Sequence, residues 1–163
     1  MAELAVTRQR WAAEQQPNPV AQAFSARDRA GTYLNFGDVE RGLVVVDRAI
    51  VAVRSAPLST AERDLAVGTL NLRGMTLAGR LRDKAEGRRE AQRHIESAWR
   101  SAGSFPCGGI DAHGLTFGPQ NTLTHVLATQ VDLGRPRARL SGGVRRSVVT
   151  PDTVGCGRPS CTP

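Results

Sequence analysis

A chain of 163 residues fits one domain, or one domain with a tail. Aromatics make up only 4% of it, which suits helix packing through small residues better than a β-sandwich core, where aromatic and β-branched residues concentrate. The net charge of +7 is unevenly placed: residues 1–133 carry 16 basic and 14 acidic groups, whereas residues 134–163 carry six arginines against Asp152 alone. The body is therefore close to neutral, and the high isoelectric point belongs mostly to the tail. Lys84 is the only lysine; a preference for arginine at phosphate sites or the codon bias of a GC-rich gene accounts for that. Cys107, Cys156 and Cys161 are an odd number at irregular spacing and imply no disulfide framework. No apolar run approaches the ~20 residues that span a bilayer, and residues 1–10 lack the order of a signal peptide. A cytoplasmic location is expected.

Residues 2–16 read as a helix with Leu4 and Trp11 seven apart, ended by Pro17 and Pro19. Residues 20–36 form the next, closed by Gly37-Asp38. From Val39 to about Arg54 the apolar residues Leu43, Val46, Ile50 and Val53 recur three or four apart, one face of a helix. The pair built around residues 24–53 cannot bury its apolar stripe alone and must stack on others. Residues 55–59 are a loop, and Ser59 with Glu62 has the spacing of a capping box.

From residue 61 to about residue 82 a long helix is predicted on Leu65, Leu70, Leu72, Leu77 and Leu81. Gly68, Gly74 and Gly79 weaken it, each by about 1 kcal/mol against alanine, unless a neighbouring helix packs onto them. A turn is placed at residues 82–89 around Gly87. Ala91, Ile95, Ala98, Trp99 and Ala102 mark the following helix, residues 103–114 a glycine-rich loop, and Gly118-Pro119 the start of a last helix. Leu123, Val126, Leu127 and Leu133 are its predicted buried side. Residues 135–163, rich in Arg, Pro, Ser and Gly, hold too few large apolar residues to offset their ordering entropy, so a disordered tail is expected.

The fold expected is all-α, an antiparallel helix-hairpin array over residues 20–134, preceded by a helix and linker at 1–19. Ala30, Tyr33, Gly37, Gly42, Val46 and Ala49 follow the tetratricopeptide order of small and large residues at matching spacings. A second pair runs from Gly74 and Leu77 to Ala91, Ile95 and Ala98. Together with Gly68, Asn71 and Arg80, with Thr116-Phe117-Gly118-Pro119-Gln120-Asn121, with His125, and with Val131-Asp132-Leu133-Gly134, this pattern resembles the C-terminal repeat region of bacterial helix-turn-helix transcriptional regulators of the XRE type. The resemblance covers about residues 21–134. It implies a sensor or partner-binding domain joined to a DNA reader. Residues 1–19 are too short for that reader, and the tail departs from the further helix pairs of the family, as a shift of reading frame would produce.

On this reading the inner face of the first repeat presents Phe24, Arg27 and Asn35, and that of a third, which begins at Gly118-Pro119 and reaches its turn at Leu133-Gly134, presents Asn121, Thr124 and His125, to a peptide, protein or small-molecule effector. The plainer reading of residues 117–121 is a helix start held by Pro119, with Phe117 as a hydrophobic staple. Exposed alanine-rich helices would serve for docking or a homodimer. Arg135, Arg137, Arg139, Arg145 and Arg146 would give DNA only weak, sequence-blind contact. His94, His113 and His125 have no metal-ligand spacing, and neither a phosphate-binding glycine loop nor a nucleophile elbow occurs. No metal, cofactor or catalytic residue is expected. The function expected is a non-enzymatic binding module of a transcriptional regulator. The alternatives are an interaction scaffold unrelated to transcription and a small hydrolase using Cys107, Asp111 or His113 near Ser104.

Overall fold

The structure, a computed structural model, describes residues 2–15, 18–112 and 114–134. Among them lie, in order, α1 (Ala2–Gln15), α2 (Pro19–Phe36), α3 (Val39–Ser55), α4 (Thr60–Gly79), α5 (Lys84–Ala102), β1 (Ile110–Ala112), β2 (Leu115–Phe117) and α6 (Pro119–Asp132). The fold is all-α. The expectations for His113 and for residues 135–163 lie outside the described residues.

The helix ends follow from local chemistry. Asn18 Oδ1 accepts the Val20 and Ala21 N–H groups at 3.0 and 3.2 Å, so α2 begins one residue earlier than its apolar pattern suggests, with Pro19 in its first turn. Gly37, at φ 78°, ends α2 in the left-handed conformation, and Asp38 caps α3 in the next residue. The capping box of α4 forms as its spacing predicts: the Ser59 N–H donates to Glu62 Oε2 at 3.0 Å and the Glu62 N–H to Ser59 Oγ at 3.3 Å. Arg63 donates to the carbonyls of Ala56 and Leu58 and ties down the loop before it.

Cross-helix pairs give the directions. Asn71 meets Ser97, Gly74 meets the His94 ring and Gly87 meets the Ala78 carbonyl, so α4 and α5 are antiparallel. Gly42, early in α3, faces Leu77, late in α4, and also the Ala30 carbonyl late in α2; α3 therefore opposes both. Gly68 meets Phe117, Thr76 meets His125, and Gly79 meets Thr129 and Asp132, so α6 runs parallel to α4. Thus α2, α4 and α6 point one way and α3 and α5 the other. The centre of this array is α4, which touches α2, α3, α5, α6 and β2; nearly every residue from Leu65 to Gly79 is buried, as for a helix apolar on all sides.

Four local expectations need correction. Gly87 is not a turn residue: α5 already begins at Lys84, capped by Asp83, and the missing side chain at Gly87 admits the Ala78 carbonyl, which would lie 2.7 Å from a β-carbon there. Residues 103–114 are not all loop, because Ile110–Ala112 pairs antiparallel with Leu115–Phe117 in the register Ile110↔Phe117. Leu4 and Trp11 face solvent, 62% and 65% exposed; α1 buries Ala13 instead. Leu127 is also exposed, and the buried side of α6 is Thr122, Val126 and Thr129, two threonines standing where apolar spacing favours leucine.

Candidate functional site

The three helices that point the same way bring Arg27 of α2, Arg73 of α4 and His125 of α6 to one face. Arg27 Nη1 donates to Asp28 Oδ1 at 2.7 Å, and Asp28 Oδ2 accepts from Gln9 Nε2 at 2.9 Å. The Arg73 guanidinium lies against the α2 backbone at Gly31, where a β-carbon would be 3.4 Å from Cζ and 3.5 and 3.6 Å from the two terminal nitrogens. Its Nε is buried with no hydrogen-bond partner among the described residues. Burial, then the charge of Arg27, hold the Arg73 pKa below the usual arginine value, and Asp28 opposes them. The guanidinium stays charged at neutral pH all the same.

His125 Nδ1 lies 3.5 Å from Thr76 Oγ1. Burial, followed by the positive charges of Arg73 and Arg27, pushes its imidazole pKa down. A bound anion would neutralise the repulsion that these two arginines exert on one another and on the ring. Chemically the face offers two guanidinium forks and one imidazole, suited to a carboxylate or phosphate.

The structure sorts the six residues singled out by sequence. Arg27 and His125 lie on this face together. Asn35 follows Arg27 and Gly31 along the same side of α2 and is exposed. Phe24 is 6% exposed and belongs to the core, so it offers no ligand surface. Asn121 Nδ2 donates to the Thr116 carbonyl at 2.9 Å and braces the corner between β2 and α6, with Oδ1 buried and unpartnered among the described residues. Thr124 is exposed, and its hydroxyl donates to the Gln120 carbonyl at 3.1 Å. Arg73 is the residue sequence reasoning missed. The signal was present: it is the one charged residue between Asp64 and Arg80, in a helix whose glycines drew attention first.

A second polar cluster is buried between α4 and α5. An arginine can only donate, so the 3.2 Å contact of Arg93 Nη2 with His94 Nε2 makes that nitrogen the acceptor. His94 Nδ1–H then donates to Asn71 Oδ1 at 2.8 Å, and Asn71 Nδ2 donates to the Val67 carbonyl at 2.7 Å and to Ser97 Oγ at 3.1 Å. Burial above all, then Arg93, pushes the His94 pKa down to about 4, against a smaller opposing pull from Glu90. Outside, Arg93 is shared by Asp47 and Glu90 at 3.0 and 2.7 Å. From His94 through Asn71 to Ser97 the relay is buried and locks α4 to α5.

Of the residues considered for hydrolysis, Ser104 and Asp111 stand in other partnerships. Ser104 Oγ donates to Asp64 Oδ2 at 2.6 Å, and Asp111 accepts from the Thr116 hydroxyl across the hairpin. Cys107 is a free, exposed thiol. Among the described residues no group of three or more His, Cys, Asp or Glu side chains is placed to hold a metal ion, and no helix is long and apolar enough to cross a membrane. No family model matches the chain, and neither a curated protein nor a solved structure matches it.

Proposed function

We propose that this chain is a ligand- or protein-binding helical module serving a transcriptional regulator, and that the face shared by α2, α4 and α6 holds an acidic peptide, protein segment or small effector. The observation that carries this reading is the convergence of Arg27, Arg73 and His125 from three separate helices, opposed there by Asp28 alone among the groups that act on Arg73 and His125. A guanidinium held half-buried without an ion-pair partner among the described residues costs desolvation, and an incoming anion repays it. The link to transcription rests on the resemblance set out above, and an in-frame helix-turn-helix encoded upstream would support it.

The test is an array of short acidic and neutral peptides probed with the full chain. Acidic peptides are expected to be retained, with retention falling as salt rises. Arg73→Gln should weaken it by about tenfold or more, the value of a lost charge-assisted hydrogen bond. Equal retention of neutral peptides, or no effect of Arg73→Gln in a variant that keeps its helical circular dichroism, would overturn the assignment.

A further inference from the structure

The side of α2 that faces away from Arg27 carries an independent feature. Two depressions, of about 250 and 330 Å³, flank this side. The first lies between α1 and α2 and is walled by Arg10, Ala13, Glu14 and Ser25. The second lies between α2 and α3, with Ala49, Ala52 and Val53 as its apolar wall and Arg48 at its rim. Both are lined by Gln22, Ala26 and Arg29, so Arg29 stands where they meet. In helical projection Arg29 points about 160° away from Arg27 and Gly31, which separates this feature from the face described above.

Two buried donors lack partners, one within the first depression and one where the two depressions meet. Ser25 is 2% exposed, it lines the first depression, and its Oγ has no hydrogen-bond partner among the described residues; the same holds for Arg29 Nε. Buried polar groups are ordinarily satisfied, and each exception calls for an explanation. The one acid in either wall, Glu14, is turned to Arg10 at 3.5 Å, which leaves Arg29 and Arg48 as uncompensated positive charges of the walls. Alanine along the second wall leaves room for a slim apolar body and gives it nothing to hydrogen-bond.

We propose that this junction is a binding site for a small monocarboxylate with a short apolar body, its carboxylate accepting from Arg29 Nε and Ser25 Oγ and its body lying along Ala26, Ala49 and Ala52. A single negative charge matches one half-buried guanidinium with Glu14 close by; a dianion would meet that carboxylate. A free organic acid and the C-terminus of a peptide share this chemistry, and the free acid suits the narrow alanine wall better.

The experiment is a titration of the full chain, followed by amide NMR shifts, with three probes: octanoate, octan-1-ol and an acetylated tripeptide ending in leucine. Octanoate is expected to give saturable shifts in α2 and α3. Arg29→Gln should weaken it about tenfold or more and Ser25→Ala severalfold. Octan-1-ol should give no saturable shift, and the tripeptide should bind more weakly than octanoate. Absence of saturable octanoate binding, equal binding of octan-1-ol, or indifference to Ser25→Ala would overturn the site; tighter binding of the tripeptide would overturn the free acid as its ligand. Should Arg29→Gln lose its helical signal, Ser25→Ala decides the matter alone.

Discussion

Replacing Phe117 by alanine is expected to lower the stability of the fold by about 3–5 kcal/mol, the range for truncating a buried phenylalanine. Phe117 is fully buried, its ring meets Phe105 edge to face at a centroid distance of 5.4 Å, and it also rests on the bare backbone of α4 at Gly68. A β-carbon at Gly68 would clash with the tip of the Phe117 ring, so Gly68→Ala is expected to cost about 1–3 kcal/mol by overpacking. The two effects oppose each other in space, one opening the volume that the other fills. The double variant should therefore be more stable than the sum of the single losses requires, with a coupling of about 1 kcal/mol or more. Urea denaturation of the four proteins checks it. Strict additivity would mean that the ring does not rest on Gly68.

The second large effect is acid sensitivity set by His94. Its folded pKa of about 4 lies below the ~6.5 of an unfolded histidine, so the native state resists a proton that the unfolded chain accepts. The stability tied to the neutral ring is complete above pH ~6.5 and is lost as pH falls from there through the folded value, a difference on the order of 3 kcal/mol. Between pH 6.5 and 5 carboxylates titrate little, so this window reports the two histidines with lowered values, His94 and His125, and removing His94 separates them. The wild-type chain should lose stability across it, whereas His94→Gln, less stable at pH 7, should show a flatter profile. An NMR titration in which the His94 ring signal moves near pH 6.5 would contradict the buried relay from Arg93 to Ser97.

Sequence alone was informative where one element's own chemistry decides its state. The stripe of Leu43, Val46, Ile50 and Val53 is buried as its spacing requires, and the Ser59–Glu62 box and the Gly37 terminus form where their residue types place them. Gly74 and Gly79 of α4 receive neighbouring helices as expected, at His94 and α6, whereas Gly68 receives Phe117 of β2. What stayed hidden depends on partners distant in the chain. Residues 24–53 present the clearest amphipathic pattern, yet α4 is the hub, because a helix buried on all sides has no stripe to reveal it. Gly87 looks the same in sequence whether it turns the chain or admits a carbonyl. The hairpin alternates apolar and polar over only three residues per strand, too few to register against a glycine-rich background. The proposed binding face was half legible: Arg27 and His125 stood out within the expected repeats, and Arg73 did not, because its meaning comes from the Gly31 surface of another helix.

The most direct test of the binding-module account is the titration of the His125 ring by NMR, free and with an acidic peptide retained by the full chain. In the free protein the ring should titrate below the ordinary histidine value, since burial, Arg73 and Arg27 all disfavour its charge. With the peptide bound its pKa should rise, because the peptide's anion offsets both arginines, and Arg73→Gln should shrink that rise. A His125 pKa that is unchanged by a bound acidic peptide would contradict the placement of the binding face on α2, α4 and α6.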